Sequence, residues 1–240
     1  MFICSAAPPQ SHFMPNRPPI DLLVRQLQAE SFFKKLDIPT LEKLARGAVW
    51  REYAAGETVF WEGEISPGLY YLYSGWIKAV KSSPEGREQV LLFIESGHIF
   101  NEVGAFSNQP NPATAVALEP ASVWLLRRQA LTRLLRERPD FAQHVIENMA
   151  GRVFHLAALV ADLSLRPVIG RLARLLLDSA TDDILHRPRW FTQTELAARL
   201  GTVPDVIQRA LRALESDGLI EIQKQFIRIQ DRHALSKIAA

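Results

Sequence analysis

Cysteine is nearly absent from this 240-residue sequence, which has only Cys4. One thiol excludes an internal disulfide framework and a four-thiolate iron–sulfur cluster, and it fits a reducing cytoplasm. Long apolar runs are missing as well. Nothing approaches the roughly 20 consecutive apolar residues of a membrane span, so no membrane partner is expected. The formal charge of +2 is too small to name a partner by itself. There is no phosphate-cradling glycine loop, no metal-ligand cluster and no nucleophile–base signature, so no enzyme is expected. Residues Met1 to Pro19 lack a charged region followed by an apolar run, so no signal peptide is expected. Their five prolines and small residues read as a disordered arm, with Cys4 an inert thiol and Met14 an alternative start.

What is present is ordinary for a globular protein, with 48% apolar and 22% charged residues. Four segments follow one another: the arm (1–19), a β-rich sensory domain (20–128), a helical region (129–164) and a C-terminal domain (165–240). The stretch Asp21 to Gly47 has scattered helical apolar positions, and Pro39 suits the first turn of a helix. From Ala48 to Arg127, short β-rich runs alternate with Gly56, Gly63, Gly68, Gly75, Gly86 and Gly97, as in a sandwich or barrel. Helical periodicity returns at Gln129. Ala142, Ile146, Met149, Val153, Leu156, Val160 and Leu163 are spaced alternately by four and three, an unbroken seam suited to a twin helix in a parallel dimer. Phe141, Val145 and Leu159 form a second stripe, expected to pack on the β-rich domain. Ser164–Leu165 reads as a hinge, Arg166 to Asp178 as a helix and Ala180 to Arg189 as a polar loop.

The C-terminal segment is mildly basic, with 12 Lys and Arg against 9 Asp and Glu from Leu165 onward, while the remainder carries 16 against 17. Within it lies a helix-turn-helix pattern. Thr192 is placed to cap a helix, Glu195 to complete a capping box, and Phe191 with Leu196 to form a hydrophobic staple. Gly201 supplies the turn, since a residue without Cβ adopts positive φ freely. Thr202 is placed as a second cap, with Pro204 in the tolerant first turn. On the second helix, Val206, Ile207, Ala210, Leu211 and Leu214 make an apolar face. Asp205, Gln208, Arg209 and Arg212 line the opposite face, the arrangement that major-groove reading requires. Arg can bond guanine at two points, Asp can accept from cytosine and Gln can pair with adenine. Residues 221–224 and 225–229 read as a two-stranded wing, with Lys224 and Arg228 candidates for phosphate. The expected DNA contacts are thus Thr192, Gln193, Thr202, Val203, Pro204, Asp205, Gln208, Arg209, Arg212 and Lys224 on double-stranded DNA.

This order of elements resembles the cyclic-AMP receptor protein and fumarate–nitrate regulator family. The resemblance runs from Asp21 to about Arg232. It is most specific in Phe191-Thr-Gln-Thr-Glu-Leu-Ala-Ala-Arg-Leu-Gly-Thr-Val and in Arg209-Ala-Leu-Arg-Ala-Leu-Glu-Ser-Asp-Gly-Leu-Ile. Tyr53-Ala-Ala-Gly-Glu, Tyr71-Leu-Tyr-Ser-Gly and Ser96-Gly-His-Ile-Phe match in the β-rich part. It implies an α+β fold: a cyclic-nucleotide-binding-like β-roll (a double-stranded jelly roll), a long dimerisation helix and a C-terminal winged helix-turn-helix. It further implies a cytoplasmic homodimer that binds a two-fold symmetric operator and contacts RNA polymerase. The family's arginine–glutamate–arginine readers fall on Pro204, Asp205 and Arg209, leaving Arg209 as the main base-reading candidate.

The family's cyclic-nucleotide cassette carries a glutamate for ribose and an arginine for phosphate, and a buried phosphate needs that cation. The matching effector-pocket residues here are Asn101, Glu102, Val103, Pro112, Ala113 and Thr114. Glu102 is kept, but Pro112 or Ala113 stands at the arginine position, and no Arg or Lys lies between Arg87 and Arg127. Cyclic AMP is therefore not the expected effector, and a non-cyclic-nucleotide-binding member is. Haem stays open as a cofactor, with His98 and His144 the available ligands, as does a different small molecule or none. The alternative function is a cyclic-nucleotide- or haem-binding sensory module.

Overall fold

Strands that read as continuous apolar runs are buried on both faces, and two of them organise the N-terminal domain. β3 (Gly68–Ser74) and β8 (Ala121–Arg127) pair antiparallel at the centre of one sheet. Alternate side chains point to opposite faces of a strand. Tyr70, Leu72, Val123 and Leu125 accordingly enter the space between two sheets. Leu69, Tyr71, Trp124 and Leu126 face a layer of helices. The computed structural model that shows this describes residues 17–107 and 109–239. Cys4, Met14 and the rest of the arm up to residue 16 lie outside the described residues.

The first sheet is completed by β1 (Val49–Tyr53) and β6 (Ile99–Phe100), in the order β1-β8-β3-β6. The second has the order β2-β7-β4-β5, from β2 (Thr58–Phe60), β4 (Trp76–Ser82), β5 (Glu88–Glu95) and β7 (Thr114–Ala117). The short β-rich runs expected between Ala48 and Arg127 appear as β2, β3, β4, β5, β7 and β8. Val49–Tyr53 and Ile99–Phe100 are additional, the first lying where the sequence showed no clean alternation. The helical layer comprises α1 (Ile20–Ala29), a 3₁₀ turn (Ser31–Phe33) and α2 (Ile38–Arg46), whose first turn holds Pro39. Phe32 meets Phe141 edge-on at 5.5 Å and Phe33 stacks on it at 5.9 Å, tying this layer to the long helix. Arg17 lies 5.0 Å over the Trp124 ring, so the end of the arm covers the same core.

Two prolines divide the helical region. The residue before a proline is driven out of the helical conformation. Arg138 is extended before Pro139, separating α4 (Arg128–Glu137) from α5 (Pro139–Leu165). Arg166 is extended before Pro167, separating α5 from α6 (Val168–Ser179). The hinge expected at Ser164–Leu165 is thus corrected to Arg166–Pro167. The 27 residues of α5 make a rod about 40 Å long. Phe141 and Val145 are buried against the β-roll domain, as the second stripe implied, but Leu159 is corrected: it is half-buried beside Leu175 and Leu200 of the C-terminal domain.

The C-terminal domain has its own core around Leu172, Leu176, Leu196, Ile207, Leu214 and Ile227. Its helices are α6, α7 (Gln193–Leu200), α8 (Pro204–Ser216) and α9 (Arg232–Ala239). The wing is β10 (Ile220–Ile222) and β11 (Phe226–Ile229), turning at residues 223–225. The polar loop expected between Ala180 and Arg189 is corrected: it contains β9 (Ile184–His186). Asp182 and Asp183 turn the chain at positive φ, and Leu185 pairs with Ile227. No helix among the described residues is long and apolar enough to cross a membrane.

Candidate nucleic-acid interface and effector pocket

The helix-turn-helix is built as its local signals require, with two corrections. The Thr192 hydroxyl accepts the Glu195 backbone N–H at 3.2 Å, capping α7. Gly201 takes φ +61° and reverses the chain, and Thr202 N–H donates back to the Ala197 carbonyl. The reciprocal half of the capping box is not formed, because the Glu195 carboxylate is drawn to Lys78 of β4 at 2.8 Å. Nor does Thr202 cap α8. The N-cap is Val203, without a side-chain hydrogen bond, and Pro204 starts the helix where its missing N–H costs nothing.

On α8, Ile207, Ala210, Leu211 and Leu214 are buried. Asp205, Arg209 and Arg212 are exposed on the far side and Gln208 is half-buried. None of these four side chains hydrogen-bonds or ion-pairs with another described residue. Val203, Pro204, Thr192 and Lys224 are exposed, and Thr202 and Gln193 half-buried. The ten expected contact residues therefore all retain accessible surface. Arg228 differs, being engaged by Glu221 at 3.4 Å and by the Phe226 ring.

The first helix of the motif is docked on the β-roll. Lys78, buried on β4, donates to both Glu88 at 2.7 Å and Glu195 at 2.8 Å. Burial alone would pull its pKa down, but the two carboxylates outweigh this and raise it. Gln89 donates through Nε2 to the Arg199 carbonyl at 3.1 Å. Trp190 packs on Trp76 at 5.1 Å and on Phe93 at 5.3 Å, and the Arg199 guanidinium lies 5.0 Å over Phe93. Burial lowers the pKa of Arg199. Ala198 joins Val80 and Val90 in a small apolar cluster.

The same hairpin, β4 and β5, walls a second feature on its other side. Ala79, Leu92 and Ile94 join Phe60, Phe100, Val103, Pro112, Ala113 and, from α5, Arg152, His155 and Leu156 around a cavity of about 130 Å³. Asn101 and Glu102 complete its rim at the start of α3 (Glu102–Phe106). Asn101 adopts φ +69° and donates to Ser66 Oγ at 2.8 Å. Gly104 is required there, because a Cβ would come within 2.4 Å of Asn111 Oδ1 and 2.6 Å of Asn101 Oδ1. Thr114 does not line the cavity; its hydroxyl accepts the Glu62 N–H.

Sequence reasoning missed the partner of Glu102. This carboxylate is buried and accepts from Arg152 of α5 at 2.6 and 3.2 Å. The search for a cation stopped at Arg127, whereas the fold supplies one 50 residues away in sequence. The expected haem ligands are not part of this cavity. His98 is exposed between Glu95 and Glu30, and His144 pairs with Glu147.

Along α5, Ile146, Val153, Leu156 and Val160 are exposed, between 45% and 68%. Phe154, which the heptad count passed over, is exposed beside them at 77%. The other three seam positions are less exposed and touch their own chain, as Ile146 does at the groove and Leu156 at the cavity. Ala142 and Met149 flank a groove with Val103 and Phe106, and Leu163 abuts Gly201, where a Cβ would lie 2.7 Å from its Cδ2.

Two known families match the chain: "Cyclic nucleotide-binding domain" over residues 50–138 and "Crp-like helix-turn-helix domain" over residues 170–238. The HTH-type transcriptional regulator Cmr of Mycobacterium tuberculosis is 30% identical over 185 residues, covering 77% of this chain and 74% of that protein. The CRP-like cAMP-activated global transcriptional regulator of the same organism is 27% identical over 194 residues, covering 78% and 87%. Among solved structures, FixK2 from Bradyrhizobium japonicum superposes with a TM-score of 0.73 at 22% identity, covering 80% of this chain and 98% of that one.

Proposed function

Because the chain belongs to the CRP/FNR family of transcription regulators, we propose that it acts as a homodimer that reads a palindromic operator through α8 and answers to an effector other than a cyclic nucleotide. The chain is a DNA-binding transcription regulator, and its family comprises regulators rather than enzymes. The observation that carries the operator reading is the exposed, unpaired face of Asp205, Gln208, Arg209 and Arg212 on a helix anchored by Ile207 and Leu214. A helix held by one face can lie in the major groove with the other. Arg209 supplies the bidentate contact to a base edge, and Thr192, Gln193 and Lys224 supply phosphate contacts that set the register.

Dimerisation rests on Ile146, Val153, Leu156 and Val160, a stripe of large apolar side chains left to water on one helix. A parallel pair of α5 helices covers it and relates the two α8 helices by a two-fold axis, which a palindromic operator matches. RNA polymerase is the further partner expected of an activator in this family.

The cyclic-nucleotide cassette residues do not fit a nucleotide. A buried phosphate requires a free cation, and Arg152, the arginine that lines the cavity among the described residues, is held by Glu102 at 2.6 Å. Pro112 and Ala113 add no charge. The test is a gel shift against an operator selected from random duplexes. Arg209→Ala is expected to weaken specific binding by about 1–3 kcal/mol and to relax one base position in each half-site. Unchanged affinity and base preference would remove Arg209 from the reading surface.

A further inference from the structure

The cavity beside Glu102 has the dimensions and chemistry of a site for one ring. Its volume is about 130 Å³. An engineered protein cavity of about 150 Å³ lined by Leu, Ile and Phe holds benzene. A purine nucleotide, with a fused base, a sugar and a phosphate, is several rings larger than this apolar cavity and would have to pass Glu102 and Arg152 into the polar cleft of about 560 Å³ that shares them. The walls are apolar over most of their surface, including Phe60, Leu92, Ile94, Phe100 and Pro112. Such walls favour apolar surface taken out of water and penalise an unpaired charge.

The polar end is already neutral. Both hydrogen bonds from Arg152 fall on Glu102 Oε1, and no hydrogen bond among the described residues falls on Oε2. A ligand carboxylate or phosphate would have to displace Glu102 from Arg152 or face it at close range. An uncharged ligand with a hydroxyl can donate to Oε2 and leave the ion pair intact. From size, lining and this remaining acceptor, we infer that the pocket binds an uncharged, single-ring organic molecule carrying one hydrogen-bond donor. The inference rests on the reading of this cavity as an effector site that takes no cyclic nucleotide. Arg152, His155 and Leu156 belong to α5, Leu156 being itself a member of the exposed stripe, and Leu92 belongs to the hairpin whose Phe93 holds Trp190. A ligand here therefore touches both elements that position the DNA-binding domain.

The experiment is a thermal melt and a calorimetric titration of the full chain with benzyl alcohol, toluene, benzoate and cyclic AMP. Benzyl alcohol is expected to raise Tm saturably, by about 3–5 °C at about ten times its Kd, with toluene weaker and benzoate and cyclic AMP without effect. Ala79→Phe and Ala113→Leu each fill the cavity and should abolish the rise. Two variants are used so that one failing to fold leaves the other decisive. Glu102→Gln should reduce the preference for benzyl alcohol over toluene. A rise that survives in a folded filled-cavity variant places the ligand elsewhere and overturns the inference, as does silence from both neutral probes. A saturable response to cyclic AMP overturns it and the non-nucleotide reading together. Operator binding, measured separately by gel shift, tells failure of the inference from failure of the regulator reading.

Discussion

Replacing Lys78 with alanine tests whether the helix-turn-helix is held on the β-roll by charge. The Lys78 side chain is 8% exposed and Glu195 17%, whereas Glu88 is 39% exposed and can turn to water. Lys78→Ala therefore strands one carboxylate, Glu195, in a mostly dry contact. Removing one partner of a fully buried pair costs about 3–5 kcal/mol, and an exposed pair contributes about 0–1 kcal/mol. With Glu195 keeping some solvent and one turn of helix N-terminus beside it, the expected cost is about 2 kcal/mol. That corresponds to a shift of roughly thirtyfold in the docked population. The assay is intrinsic fluorescence through a urea titration, because Trp190 and Trp76 are in contact across the same junction. Undocking exposes Trp190, red-shifts the emission and separates melting of the C-terminal domain from that of the β-roll. The double variant Lys78→Met, Glu195→Leu should recover most of the loss, since an apolar pair suits a dry site. The pH dependence has a definite sign. The Lys78 pKa is raised above its ordinary value of 10.5, so its contribution is complete below that value and is lost as pH rises through the higher folded value. An unchanged emission spectrum and a single unchanged urea midpoint in Lys78→Ala would refute the ion-pair account of docking.

Three other perturbations address separate parts of the molecule. Leu156→Asp puts a charge into the exposed stripe of α5, and sedimentation should report monomers without operator affinity; a persisting dimer would place the interface elsewhere. Gly201→Ala combines positive φ with a Cβ 2.7 Å from Leu163 and 3.0 Å from Gln89 Oε1, so a loss of about 1–3 kcal/mol in chemical denaturation is expected, against a gain of about 0.5–1 kcal/mol for Gly151→Ala in open helix. Asp37, which caps α2, has its pKa held down to about 2 by Thr40 first and by Arg138. Its stabilising contribution is present above the ordinary value of 3.8 and disappears as pH falls through about 2, so an acid titration of Asp37→Asn should lose the part of the wild-type transition lying in that window.

How much could be read in advance depended on the range of the interaction. Glycine spacing after residue 48 marked the β-roll because each turn needs positive φ or close approach within a few residues. Thr192, Gly201 and Pro204 marked the helix-turn-helix for the same local reason, and the four–three spacing of α5 exposed its seam through helical period alone. β1, β6 and β9 escaped because β1 lacks clean alternation and β6 and β9, at two and three residues, are too short to show a period.

Local signals in the sequence by themselves determined the order of roll, long helix and reading helix. They also determined that no cation within the cassette segment could meet a phosphate. Only the tertiary structure decided which charges meet. It brought Arg152 to Glu102 across 50 residues and Lys78 to Glu195 across 117. It also put Leu163 of the seam against Gly201 of its own chain. The physical reason is that capping, turns and periodicity act between residues within about one or two helical turns. An ion pair between distant segments has no period to announce it and exists only when packed sheets and helices deliver both charges to one place.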